Sequence, residues 1–291
     1  ATVSAGARDR VIDGILEALD RAYVFPSKAT EMRKSITARR ANGEYTSVTS
    51  ASELAATLTR HLQDVSHDKH LRVRYGSLPA PAPRPQGALA PGAIGGAEIL
   101  AGNIGYVEIR SFAYSARAIA EAVAKEMSVV ADADALIIDV RRNGGGAPEA
   151  VSLISSYLFG EEPVHLNSLY YRPDNNTEHF YTLRSVAGKR FGPDKPIYVL
   201  TSKRTFSAAE EFAYNLQSRK RAMIVGETSG GGAHPGGPQQ VGEGFSVFVP
   251  SGRAINPITG TNWEGTGVQP GIAVPADSAL SAALAHARRR M

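Results

Sequence analysis

From Ile104 onward, short apolar runs alternate with amphipathic stretches, and this alternation points to an α/β architecture with parallel strand pairing. The runs at 104–110, 135–140, 197–201 and 222–226 read as strands, while 116–130, 148–159 and 207–218 carry helical composition and spacing. Residues 164–186, rich in Tyr, Asn and Thr, read as an inserted antiparallel hairpin, and Phe245 to Pro250 as a further strand. Upstream, from about Arg10 to Gln63, the pattern is helical. Val11, Ile12, Ile15, Leu16 and Leu19 form one stripe and Leu54, Leu58 and Leu62 another, the latter opened by Ser50-x-x-Glu53. A strand over 70–75 follows. Residues 77–96 are dense in Pro, Ala and Gly and read as a connector without fixed secondary structure. The expected organisation is a small helical subdomain over 1–75, a Pro/Gly-rich connector over 76–103 and an α/β core over 104–291.

Composition removes several classes of function. No apolar run approaches the roughly 20 residues a membrane-spanning helix needs, so membrane insertion is not expected. The 32 Lys plus Arg exceed the 28 Asp plus Glu by only four and are scattered except at Arg288 to Arg290, which argues against a nucleic-acid surface. The chain contains no cysteine, which excludes thiol catalysis, thiolate metal sites and disulfides together. His67 and His70 are spaced like a metal pair, but no third ligand lies nearby, and no metal or other cofactor is expected.

Ser207 lies where the strand at 197–201 gives way to the helix at 207–218. It has two readings. With Glu210 it matches the Ser-x-x-Glu capping box, and it also occupies the position that suits a nucleophile at a helix entrance. The strand at 135–140 runs into Arg141-Arg-Asn-Gly-Gly-Gly146, with Pro148 opening the next helix. That glycine loop could close a tight turn, cradle a phosphate, or present backbone amides to the charge developing on a carbonyl oxygen. It lacks the Lys-Ser/Thr of a P-loop and the spaced glycines of a dinucleotide site.

A serine nucleophile needs a base and a group that orients it. His70, in Ser66-His-Asp-Lys-His-Leu-Arg-Val73, starts a strand at the subdomain boundary. His234, in Gly230-Gly-Gly-Ala-His-Pro-Gly-Gly237, is its rival as the base or a substrate-binding group, whereas His61, His165, His179 and His286 lie in contexts that read as ordinary surface. Glu264 is the candidate orienting acid, in a turn holding the only Trp of the chain, or else a solvated turn carboxylate.

Four segments together resemble the carboxyl-terminal processing, or tail-specific, serine proteases: Asp-Lys-His70-Leu, Asp139 to Gly146, Thr201 to Glu210, and Val225-Gly-Glu-Thr with the later Glu264-Gly-Thr-Gly-Val-Gln-Pro270. The likeness runs from about residue 10 to 275 and is closest to the branch of tricorn protease and the interphotoreceptor retinoid-binding protein modules. It implies a ClpP/crotonase-like core of strand-strand-helix units, with Ser207 as nucleophile, His70 as base and Glu264 as its partner. Ala208 would supply one oxyanion amide and Gly144 or Gly145 the other. The lysine that serves as base in the processing branch is absent from Ser229-Gly-Gly-Gly-Ala-His-Pro235, and Lys69 stands where tricorn has a serine linking the His to the acid, a bridge for which a water or Asp68 is the expected substitute. A peptide-binding PDZ module has no room in the fewer than 30 residues between Tyr75 and Ile104. The resemblance implies hydrolysis of peptide or unfolded protein substrates by an exported enzyme. The alternatives are a non-catalytic module for an apolar, retinoid-like ligand and a non-peptidic acyl hydrolase.

Overall fold

The computed structural model describes residues 1–76 and 92–290, and the expected α/β class is observed. The chain forms two compact units, neither of them continuous in sequence. The first contains α1 (Ala5–Ala22), α2 (Pro26–Ala41), α3 (Ala51–Ser66) and β1 (Arg72–Tyr75), together with Leu169–Thr177 and His234–Ala254. The α1 stripe of Val11, Ile12, Ile15, Leu16 and Leu19 is buried against the same core as Leu54, Leu58 and Leu62, so the two apolar patterns read from the sequence meet. Ser4 and Ser50 cap α1 and α3, their hydroxyls accepting from Ala7 N and Glu53 N.

The second unit is built on a six-stranded sheet. Its strands are β2 (Ile94–Leu100), β3 (Ile104–Ile109), β4 (Ala135–Asp139), β7 (Ile197–Thr201), β8 (Met223–Gly226) and β12 (Ile272–Ala273), in the order β12-β8-β7-β4-β3-β2. All pairs are parallel except β2 with β3. Every residue of β4 and β7 is buried, as unbroken apolar runs require in a parallel sheet covered on both faces. Four helices belong to this unit: α4 (Ala116–Val130), α5 (Pro148–Ser156), α6 (Ala208–Ser218) and α7 (Ala279–Arg290). The expected hairpin is β5 (His165–Tyr171) and β6 (Asn176–Tyr181), with β11 (Gly252–Ile255) beside β5.

The structure departs from the sequence reading in three places. Of the expected connector over 76–103, residues 77–91 lie outside the described part, and residues 94–100 form β2, antiparallel to β3 with a register shift between Ile94 and Gly96. The strand expected over Phe245 to Pro250 is β10, but it joins the first unit, between β1 and β9 (Gly236–Gly242) in an antiparallel sheet. The C-terminal basic run ends a helix, α7, whose Ala279, Ala283 and Ala287 pack on Ile137, Tyr198, Leu200 and Val225.

Candidate active site

Parallel pairing of β4 with β7, in register at Asp139 and Leu200, brings the loops that follow these strands side by side. Backbone and side-chain bonds then fasten one loop to the other. Ser202 Oγ donates to Arg141 O at 2.6 Å, Thr205 Oγ1 to Val140 O at 2.9 Å, and Phe206 N to Asn143 O at 3.1 Å. Asp139, the last residue of β4, accepts from the Arg141 amide and guanidinium and from Tyr106 Oη. Burial by itself would raise the pKa of that carboxyl, but the Arg141 bonds outweigh it and hold it below the ordinary range.

Asn143, fully buried, organises the glycine loop. Its Nδ2 donates to Ile109 O at 3.0 Å and its Oδ1 accepts from Gly145 N at 2.9 Å. The buried Gly145 amide is therefore engaged, which leaves the exposed Gly144 as the better placed of the two expected oxyanion donors. Gly145 has φ +106°, and a β-carbon there would lie 2.7 Å from Ser207 Cβ, 2.9 Å from Phe206 O and 3.0 Å from Ala208 N. Only glycine allows the loop this close to the serine and to the first amide of α6.

Ser207 is partly exposed and has φ +57° and ψ −123°. The Ser-x-x-Glu capping box expected from the sequence is present, but an ordinary helix cap has an extended backbone and Ser207 does not. A serine in this region carries strain of about 1–3 kcal/mol and persists only where its surroundings enforce it. Glu210 supplies much of that enforcement. Its carboxylate, with no exposed surface, accepts from Ser207 N at 2.8 Å, Gly232 N at 2.9 Å, Gly231 N at 2.6 Å and Ser229 Oγ at 2.5 Å. Burial raises its pKa and these four donors oppose the rise.

The 229–233 loop that Glu210 holds is in turn bonded to the turn carrying Glu264. Val268 N donates to Ser229 Oγ at 2.7 Å, Gly265 N to Gly231 O at 3.1 Å, Trp263 Nε1 to Gly232 O at 2.7 Å, and Ala233 N to Glu264 Oε2. Within the second unit, an unbroken series of hydrogen bonds thus leads from the Ser207 backbone through Glu210 to Glu264.

His70 and His234 belong to the first unit, and Asp68, nearly without exposed surface, ties them together. Its Oδ1 accepts from His70 N at 3.0 Å, and its Oδ2 lies 2.8 Å from His234 Nδ1 and accepts from Tyr23 Oη at 3.2 Å. The His70 ring stacks on Phe248 with centroids 6.0 Å apart, and His234 meets the Phe25 ring edge-on at 5.4 Å. Burial pushes the His70 pKa down to about 4, against the opposing charge of Asp68. Its imidazole is neutral at ordinary pH and able to accept a proton.

The sequence reading did not assign the work of Asn143 and gave Glu210 only a capping role. The signal for Glu210 lay in the Ser-x-x-Glu spacing, but its partners at 229–232 are some 20 residues downstream.

Comparison with known proteins bears on the family. Residues 103–274 match the description "Peptidase family S41", and residues 5–99 match "N-terminal domain of Peptidase_S41 in eukaryotic IRBP". A carboxy-terminal-processing protease of Bartonella bacilliformis is 28% identical over 177 residues, which cover 60% of this chain and only 39% of that protein. Among solved structures, a Parabacteroides merdae protein superposes with a TM-score of 0.70 at 18% identity, covering 96% of each chain. The photosystem II D1 C-terminal processing protease gives a TM-score of 0.54 at 16% identity, covering 94% of each. These two likenesses extend the agreement in fold over nearly the whole chain, and the match over 103–274 takes in the Gly144–Gly145 loop, Ser207, Glu210 and Glu264: the chain belongs to peptidase family S41.

Proposed function

We propose that this chain is a serine peptidase that hydrolyses peptide or unfolded protein segments through an acyl-enzyme, without a metal. Ser207 attacks the scissile carbonyl, His70 takes its proton and returns it to the leaving amine, and Glu264 orients the imidazole. The amides of Ala208 and Gly144 receive the oxyanion, helped by the positive end of α6. The observation that carries this reading is the strained Ser207 backbone at the β7–α6 junction, with Gly145 packed against its β-carbon. Strain of this kind is retained where it serves a site. The neutral, half-buried His70 supports its part as base, and the tethered Glu264 supports a fixed acid.

The test is hydrolysis of an unstructured peptide. Ser207→Ala lowers kcat/KM by on the order of 10⁴-fold or more with the circular dichroism spectrum unchanged. Unchanged turnover refutes the assignment. His70→Ala is equally damaging, and His234→Ala much less so; the reverse order makes His234 the base. Export from the cytoplasm belongs to the same proposal and is checked by fractionating the source cells. Among the described residues no helix is long and apolar enough to cross a membrane.

A second reading, a module holding an apolar ligand, is favoured by the match of residues 5–99 to the retinoid-binding-protein type of N-terminal domain. It predicts saturable binding of an apolar ligand and no turnover by the wild type.

A further inference from the structure

A cavity of about 630 Å³ opens in the second unit where β7 and β8 begin, at Ile197 and Met223. Ser207 follows the other end of β7, and five strand residues separate the two ends by roughly 16 Å, so this cavity is not the site described above. Lys195, Arg219, Lys220, Arg221, His286 and Arg290 line it, against one carboxylate, Asp194. None of these five Lys and Arg side chains is in an ion pair with any described residue, although Arg and Lys on other surfaces of the molecule pair repeatedly.

Their donors divide into two sets. Arg221 is engaged by backbone on all three nitrogens, at 2.7 Å to Leu158 O, 2.9 Å to Lys195 O and 2.7 Å to Gly192 O. Lys195 Nζ donates to Ala131 O and lies over the Phe191 ring. These two fix positive charge in the wall. Burial without a carboxylate partner pulls the Arg221 pKa down to about 10. The second set has donors to spare. Arg219 gives Nη2 to His165 O while its buried Nε has no partner, and the Lys220 and Arg290 side chains make no hydrogen bond to the described residues. His286 Nδ1 lies 3.0 Å from Tyr198 Oη, which steadies its ring.

Five like charges against a single carboxylate repel one another, and a compact ligand that brings several negative oxygens relieves this. Arginine forks and lysine point charges are the side chains that bind phosphate oxygens. The volume suits a small molecule. We propose that this cavity binds a small multivalent oxyanion of the phosphate class, received by Lys220 and Arg290 over the fixed charge of Arg219, Arg221 and Lys195.

The test is titration calorimetry of the full chain with inorganic pyrophosphate at low ionic strength. The expected result is one site, tighter for pyrophosphate than for orthophosphate and weakened by added sodium chloride. The double variant Lys220→Asn with Arg290→Gln weakens binding at least tenfold; Asn is chosen because Lys220 has φ +55°, which Asn tolerates. Ser207→Ala binds as the wild type does. Absence of binding at millimolar pyrophosphate, an unaffected double variant, or loss of binding in Ser207→Ala each overturns the proposal.

Discussion

Removing the Glu210 carboxylate tests how the Ser207 backbone is held. The side chain has no exposed surface and accepts four hydrogen bonds, two on each oxygen. In Glu210→Gln the amide oxygen takes the place of Oε2 and keeps the bonds from Ser207 N and Gly232 N. The new NH₂ then faces Ser229 Oγ, which can accept from it, and Gly231 N, which cannot. One buried backbone donor is orphaned, and the cost is about 2 kcal/mol. Glu210→Ala orphans all four donors and leaves a void, so its cost is about 4 kcal/mol or more. Urea denaturation followed by fluorescence of Trp263, which is bonded to the same loop, reports both values locally. Hydrolysis falls further in the Ala variant than in the Gln variant, because only Gln retains the bond to Ser207 N. A loss under about 1 kcal/mol in Glu210→Ala, or equal losses in the two variants, refutes the reasoning.

Gly145→Ala forces a β-carbon to within 2.7 Å of Ser207 Cβ at a φ of +106°. Overpacking of this kind costs about 1–3 kcal/mol, and kcat drops at least tenfold because Ser207 must move; a variant with wild-type kcat contradicts the close approach. The pH profile follows from His70. Its folded pKa, about 4, lies below the ordinary 6.5, so the base is already neutral in weak acid and the acid limb of kcat/KM falls near pH 4. For stability the sign is the same: the unfolded chain takes up this proton first. The contribution of the half-buried neutral imidazole is complete above about pH 6.5 and is lost as pH falls toward 4, measured as a decline in urea midpoint that His70→Ala lacks.

The sheet of the second unit was legible because β3, β4 and β7 are short, mostly apolar runs, which signal burial without any long-range information. β2 was not, since Ile94-Gly-Gly-Ala-Glu-Ile-Leu100 has two glycines and no alternation, and it is a strand only because β3 offers it an edge. Nor could β9, Gly-Gly-Pro-Gln-Gln-Val-Gly, be read from propensity; its partner β10 defines it. The pairing of β1 with β10 joins residues 170 to 176 positions apart, which is why the first unit takes in a segment that the sequence placed in the core. The sequence does carry a signal for α7, the four-residue spacing of Ala279, Ala283 and Ala287. At the site, the spacing and resemblance of short motifs named Ser207, His70 and Glu264. Asn143 and Glu210 act mostly through bonds to backbone atoms, and backbone amides leave no mark in a sequence, whereas Asp68, two residues before His70 in the motif, also bonds the side chains of His234 and Tyr23.

The central claim is that Ser207 is an activated nucleophile with His70 as its base, and reaction with a fluorophosphonate probe measures this directly. Intact mass analysis and peptide mapping are expected to show one adduct per chain, on Ser207, formed at a rate that His70→Ala reduces by orders of magnitude. An unlabelled wild-type chain, an adduct elsewhere, or labelling indifferent to His70→Ala contradicts the account.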